Sequence, residues 1–251
     1  MDKLSAINEM LEWYGQSPAT ALDTGGTSDE GEAETTLDRM TKQILKEAWH
    51  VNTENGVEFA ISDVKLAVSG GAGTFTYGET VTQTTSGATG TFNYIASGFM
   101  YLTAISGTWA SSLNVTGGTS GATRTGGAYT AVTESQIPYD TDILYAERSK
   151  KDGEARKITM RGGFFWDSGD NTATFDSDLS LDIRRLLDFD DLPESLANYI
   201  AKRAALSFLK YKMPARTEGI QERYAEITGA RIDARNDDGD RRETNVHDTP
   251  S

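Results

Sequence analysis

Apolar side chains recur every three or four residues near both ends of the chain, whereas in the middle they alternate or fall into short runs. Leu4, Ile7, Leu11 and Tyr14 share one face of a helix predicted over 4–14, and Gly15 suits its C-cap. A loop with a proline and paired glycines fills 17–27. From about Ser28 to Trp49, the positions Leu37, Met40, Ile44, Leu45 and Trp49 again mark one face. Ser28 is placed to cap that helix, with Asp29 and Glu30 at the positive end of its dipole. Towards the other end, "FDDLPESLANYIAKRAALSFLKYKM" has helical spacing, with Leu196, Ile200, Arg203, Ala204, Phe208 and Tyr211 as its inward stripe. Pro193 suits a helix start and Pro214 a helix stop. A last helix is predicted over about 215–236, with Ile220, Tyr224, Ile227 and Arg231 on one side. The remaining 237–251 is nearly devoid of apolar residues and is expected to be a flexible tail.

The middle reads as β structure. "DILYAER", "RKITMRG", "GFFWD", "NTATFD" and "LSLDIRRLLDF" are strand-like, and "SGDN" separates two of them as a turn. Before them, 67–133 changes character. It holds two charged side chains, Glu79 and Arg124, against 60 in the other 184 residues, and 13 of the 25 glycines. It also repeats itself at an offset of 34: "GTFTYGETVTQTTSGAT" at 73–89 returns as "GTWASSLNVTGGTSGAT" at 107–123, with nine of 17 positions identical. Threonine, valine and aromatic residues suit pleated strands, and the glycines suit turns. Two copies are too few for a solenoid, so the segment is predicted to be a small all-β module of two related hairpin units. Phe75 and Trp109 occupy equivalent repeat positions and are expected to plug the two units' cores.

The expected fold is therefore α+β. An antiparallel bundle of N- and C-terminal helices would carry a small antiparallel β region and the inserted β-module. The expected domains are a scaffold of helical bundle plus β segment over 1–66 and 134–236, the insert 67–133, and the tail 237–251.

Composition narrows the chemistry. Without cysteine there is no disulfide or thiolate zinc site. The N-terminal stretch lacks the basic start and apolar run of a signal peptide, and no run approaches a membrane span. A net charge of −14 does not attract nucleic-acid phosphates, though it suits a surface along which DNA slides. No catalytic, metal or cofactor site is expected. His50 and His247 have no ligand pattern around them, "NDDGD" lacks EF-hand spacing, and "SGGAG" lacks the Lys-Ser/Thr ending of a phosphate loop and reads as a turn. Glu79 is the insert's one acid and cannot supply the carboxylate pair of a glycosidase. Tyr77, Tyr94 and Tyr101 are the insert's candidate interface residues, with Tyr94 and Tyr101 expected to be exposed.

Several segments, in order, resemble one known family. They are "LSAINEMLEWYGQSPATAL", "TLDRMTKQILKEAWHVNTE" with its Trp-x-x-Asn ending, "IPYDTDIL", "RGGFFWDSGDNTATFD" and "LLDFDDLPESLANYIAKRAA". Together they are similar to the tail tubular protein A family, head-to-tail adaptors of T7-like short-tailed phages. The resemblance covers about 1–66 and 134–240 and leaves the insert out. It implies a non-enzymatic virion protein without cofactors, assembled in the host cytoplasm. It further implies a homo-oligomeric ring of 12 subunits between portal and tail nozzle, with tail fibres near the joint and DNA passing through the lumen. The helix and tail bearing Tyr224, Arg231, Arg235, Arg241 and Arg242 are the candidate portal-facing segment, and the insert is expected to dock a tail fibre or a neighbouring subunit. Two other readings stay open: a tail protein whose insert binds host-surface carbohydrate, and a monomeric binding module.

Overall fold

The computed structural model describes residues 1–22, 28–148 and 157–247, without the side chains of 148 and 241–247. The chain divides into a helical unit, Met1–Glu54 with Arg184–Ser251, and a β unit, Asn55–Ile183.

In the helical unit, α1 (Lys3–Tyr14) starts where Asp2 accepts from the Ser5 N–H at 2.7 Å and stops at Gly15, whose φ of 88° breaks the helix. It buries Ala6, Ile7, Met10, Leu11 and Trp13. Helix α2 (Asp29–Leu45) is capped by Ser28, whose Oγ accepts from the Gly31 N–H at 3.1 Å. It ends before Trp49, because the chain turns back there. The fully buried Trp49 indole donates to the Ile44 carbonyl at 2.9 Å, and Asn52 Nδ2 donates to the Leu45 carbonyl at 2.6 Å and to that of Arg185 at 2.9 Å. The bonds to Ile44 and Leu45 satisfy carbonyls that the helix end leaves open. Helix α3 (Glu194–Lys212) packs against α1, α2 and α4 (Ile220–His247). Its buried stripe includes Leu196, Ile200, Ala204 and Phe208, but Arg203 and Tyr211 face outward. Helix α4 turns Ile227, Ala230 and Ala234 inward, not Tyr224 or Arg231. Its backbone runs on through 237–247, where Asp237 accepts from the Ser195 hydroxyl at 2.6 Å and Asp238 from the His50 N–H at 2.6 Å. Residues 248–251 of the expected tail lie outside the described residues.

The β unit is built on β1 (Thr53–Phe59), a set of six strands described below, β8 (Ser135–Gln136), β9 (Ile143–Arg148), β10 (Ile158–Arg161), β11 (Phe164–Asp167), β12 (Thr174–Phe175) and β13 (Leu179–Arg185). β1, β13 and β9 form one sheet in that order, β10 pairs with β11, and β12 with β8. Their apolar faces meet in a core that includes Phe59, Ile137, Phe165, Phe175, Leu181 and Ile183. The five strand-like runs read from sequence correspond to β9–β13; β1, polar and only partly buried, carries no alternation that announces it.

Strands β2 (Val64–Ala72), β3 (Thr80–Gln83), β4 (Thr89–Ala96), β5 (Phe99–Ser106), β6 (Asn114–Gly117) and β7 (Thr123–Ala131) close into a barrel in the order β2-β5-β4-β3-β6-β7. Every seam is antiparallel. The 34-residue offset relates the two halves strand by strand, so β2, β3 and β4 correspond to β5, β6 and β7. The core repeats in pairs: Leu66 with Met100, Phe75 with Trp109, Val81 with Val115, Ala88 with Ala122. Gly73 and Gly107 both have φ of 78°, and a Cβ on either would meet the opposite half's Ala122 or Ala88 Cα at 3.1 Å. "SGGAG" is not a free turn: Ser69–Ala72 stays on β2, with a register shift against β7.

This architecture overturns the expected helical-bundle scaffold with a small β region. Four α-helices stand beside thirteen strands among the described residues, and the largest closed element is a barrel. Helical periodicity declares itself along ten or more consecutive residues. Barrel closure rests on pairings such as β2 with β7 and β3 with β6, which bring together residues far apart in sequence and leave no periodic signal.

Candidate functional site

Among the described residues no three acidic or histidine side chains gather as a metal site, and no helix is long and apolar enough to cross a membrane. The recessed surface of the helical unit between Lys3, Asp38, Thr41, Lys42 and 186–191 is a polar cleft. Lys3 is already committed there to Glu34 and Asp38, each at 2.9 Å. The features left to explain are surfaces.

In the barrel, the three tyrosines separate. Tyr94 is only 8% exposed, so its expected exposure is corrected. A bulge between Phe92 and Tyr94 turns it to the outside of β4, where it stacks on Tyr101 at 4.3 Å and meets the edge of Phe164 at 5.1 Å. Its hydroxyl accepts from the Gln136 N–H at 3.2 Å, and burial pushes the phenol up to about 12. Tyr94 therefore fastens the barrel to β8 and β11 within its own unit. Beside it, Asn93 donates to Ser62 Oγ at 3.0 Å, and the Val132 N–H donates to the Asp63 carbonyl at 2.9 Å, closing the two connections to the barrel. Tyr101 and Tyr77 are half-buried. The large apolar side chains that the barrel does expose are Ile95, 40% open, and Tyr129, 49% open. They occupy equivalent positions of the 34-residue repeat, and that equivalence was the signal that could have singled them out.

In the helical unit, the candidate basic residues also separate. Arg235 lies over the Trp49 ring at 3.6 Å, donates to Glu47 at 2.6 Å and to the Ala48 carbonyl at 2.9 Å. Arg231 reaches Glu47 at 3.4 Å. Both are engaged with the 47–49 segment, and the side chains of Arg241 and Arg242 lie outside the described residues. Tyr224 is on the outer face and hydrogen-bonded by Lys210, which holds its phenol below the usual tyrosine range. The surface residues not anticipated are Tyr211, 71% exposed, and Ile232, 55% exposed. Both fell within helical patterns, where an apolar residue out of phase with the buried stripe is easily counted as core.

Lys212 shows how this unit orders its edges. It bridges Asp29 at 2.7 Å and Glu32, and both carboxylates hold its ammonium above the usual lysine range. The end of α3 is thereby tied to the start of α2.

The family model described as tail tubular protein matches residues 4–76 and 130–244. The matched stretches omit 77–129, most of the barrel. No curated protein matches the chain.

Proposed function

The chain belongs to the tail tubular protein family, and from that premise we propose that it is the head-to-tail adaptor of a short-tailed phage. Membership makes it a structural component of the phage tail complex. The finer reading is a closed ring, 12 subunits by resemblance to the family, seated between portal and tail nozzle in the virion, with DNA passing through without sequence-specific binding.

The observation that carries this reading is the apolar surface left on the helical unit, where Tyr211 and Ile232 are more than half exposed on otherwise charged helices. A ring needs heterologous contacts, with two different complementary faces on each subunit. Exposed aromatic and aliphatic side chains supply the desolvated centre of such contacts. The net charge of −14 supports a lumen that does not hold DNA phosphates. Portal contact is assigned to the outer face of α4 around Tyr224 and Ile232, with the chain beyond Asp240.

The barrel is proposed as an addition to the family scaffold, since the family match includes β2 but omits 77–129, which holds β3 to β6 and most of β7. It attaches by Tyr94 and exposes Ile95 and Tyr129, which would meet a fibre base or the adjacent subunit. Deleting 64–131 and bridging Asp63 to Val132 tests this. Particles that assemble without fibres support docking. Particles that carry fibres but adsorb poorly point to a host-surface ligand instead. The ring itself is tested by the native mass of the purified protein mixed with its portal.

A further inference from the structure

The barrel's two halves anchor the same turn with different chemistry. In the first, the Gln83 N–H donates to the Ala88 carbonyl at 2.8 Å and the Gly87 N–H to that of Gln83 at 3.0 Å. Ser86 Oγ accepts from the Ala88 N–H at 3.2 Å and donates to Gln83 Oε1 at 2.9 Å. That oxygen also accepts from the Ala110 N–H at 2.7 Å, and Gln83 Nε2 donates to the Ala110 carbonyl at 2.6 Å. The second half repeats the backbone: Gly117 N–H to the Ala122 carbonyl at 2.9 Å, Gly121 N–H to that of Gly117 at 3.1 Å, Ala122 N–H to Ser120 Oγ at 3.1 Å.

The side chain that ties the turn down is different. Gly117 stands where Gln83 stands in the first half. A Cβ there would lie 2.4 Å from Ser120 Oγ and 2.7 Å from both Glu79 carboxylate oxygens. The carboxylate of Glu79, 6% exposed, fills that space. Its Oε1 accepts from Ser120 Oγ at 2.7 Å and from the Thr76 N–H at 2.7 Å, Thr76 being the counterpart of Ala110. Its Oε2 accepts from the Ser120 N–H at 2.9 Å and the Thr119 N–H at 3.0 Å. All four groups facing Glu79, from the 76–79 loop and from the 117–122 turn, are donors. Arg124, the other charged side chain of 67–133, is spent on the carbonyls of Ala72, Thr123 and Gly73 and on the Phe75 ring.

We propose that Glu79 is a proton-operated latch: protonating it releases the 117–122 turn from the 76–79 loop and opens that corner of the barrel, while the Gln83 corner stays closed. A protonated carboxyl faces three N–H groups that cannot accept its hydrogen. Only the second lone pair of Ser120 Oγ can, and then Ser120 must turn its own hydrogen away from Glu79 while the three N–H groups lose the charge of their acceptor. The direction of titration agrees. Burial raises the Glu79 carboxyl, but the bonds from Ser120, Thr76 and Thr119 outweigh it and hold the group below the usual glutamate range. A depressed folded value means the stabilisation is complete above the ordinary value of about 4.3 and is lost as pH falls through the folded value. Gln83 does not titrate and serves as an internal control.

Hydrogen exchange of the full chain between pH 6 and 2.5, corrected for intrinsic rates, tests the latch. Protection at Thr76, Thr119 and Ser120 should fall by up to about tenfold per pH unit once below pH 4, the linkage of one proton. Protection at Ala88 and Ala110 should not change. Equal loss at both corners overturns the latch, as does unchanged protection at both. Two variants sharpen it. Glu79→Gln should make the corner weaker at pH 6 but insensitive to acid. Gln83→Glu, which sets a carboxylate oxygen against the Ala110 carbonyl, should weaken the Gln83 corner at pH 6 and regain protection there, not lose it, as acid restores a donor. An acid response that survives in Glu79→Gln contradicts the assignment.

Discussion

The helical unit and the barrel hold themselves together by different means. The helical unit combines an apolar core with ion pairs at its rim: Lys212 with Asp29 and Glu32, Lys202 with Glu9 at 3.0 Å, Lys3 with Glu34 and Asp38. Arg223 lies over Trp13 at 4.0 Å as Arg235 lies over Trp49. Residues 67–133 of the barrel carry two charges, and both are satisfied by backbone groups, a hydroxyl and one ring face. A region without charge pairs must secure its register elsewhere. Here that role falls to backbone ladders, to the Gln83 and Glu79 anchors, and to glycines where strands approach too closely for a side chain.

The contrast can be broken most severely at Gly71. It has a φ of 85°, and a Cβ would sit 1.9 Å from the Thr123 carbonyl oxygen. Gly71→Ala should cost about 4 kcal/mol or more and unfold the barrel, with exchange protection in the helical unit intact. Gly87→Ala is the comparison, because φ is 68° but nothing lies within 4 Å. It should cost only about 1 kcal/mol. Equal effects would mean that backbone conformation, not close approach, governs both.

Core truncations come next. Phe75→Ala and Trp109→Ala should each cost about 3–5 kcal/mol, and near-equal values would reflect their equivalent places. Trp49→Ala should cost a similar amount in the helical unit while leaving the barrel's exchange protection unchanged. A loss shared by both units would show that they unfold as one. Arg235→Ala should cost about 1–2 kcal/mol by thermal unfolding, since its stacking on Trp49 is close but its side chain is 37% exposed. Smallest of all, raising salt to 1 M should weaken the helical unit by less than about 1 kcal/mol and the barrel by nothing measurable.

Much of the helical unit was legible in sequence. Ser28 and Gly15 mark helix ends through local capping chemistry, and Leu37, Met40 and Ile44 share a face whatever the tertiary partner. Tyr211 and Tyr224 were less legible, because a pattern gives the spacing of an apolar stripe but not its width. In the barrel, the repeat announced equivalent residues, and Phe75 and Trp109 are both buried in its core. Closure was not legible, since pairing across β2 and β7 depends on long-range register. Nor was the partnership of Glu79 with Gly117, in which a missing side chain makes room for a distant carboxylate. Tyr94 was misjudged because the repeat places Ala128 at its counterpart, which says nothing about the neighbouring Phe164 that covers it.

Native mass spectrometry of the purified protein, over rising concentration and then with its portal added, tests the central claim most directly. The account predicts a discrete closed oligomer, 12 subunits by the family resemblance, bound to portal. A mass that stays at one 27.3 kDa subunit throughout, portal included, would contradict it.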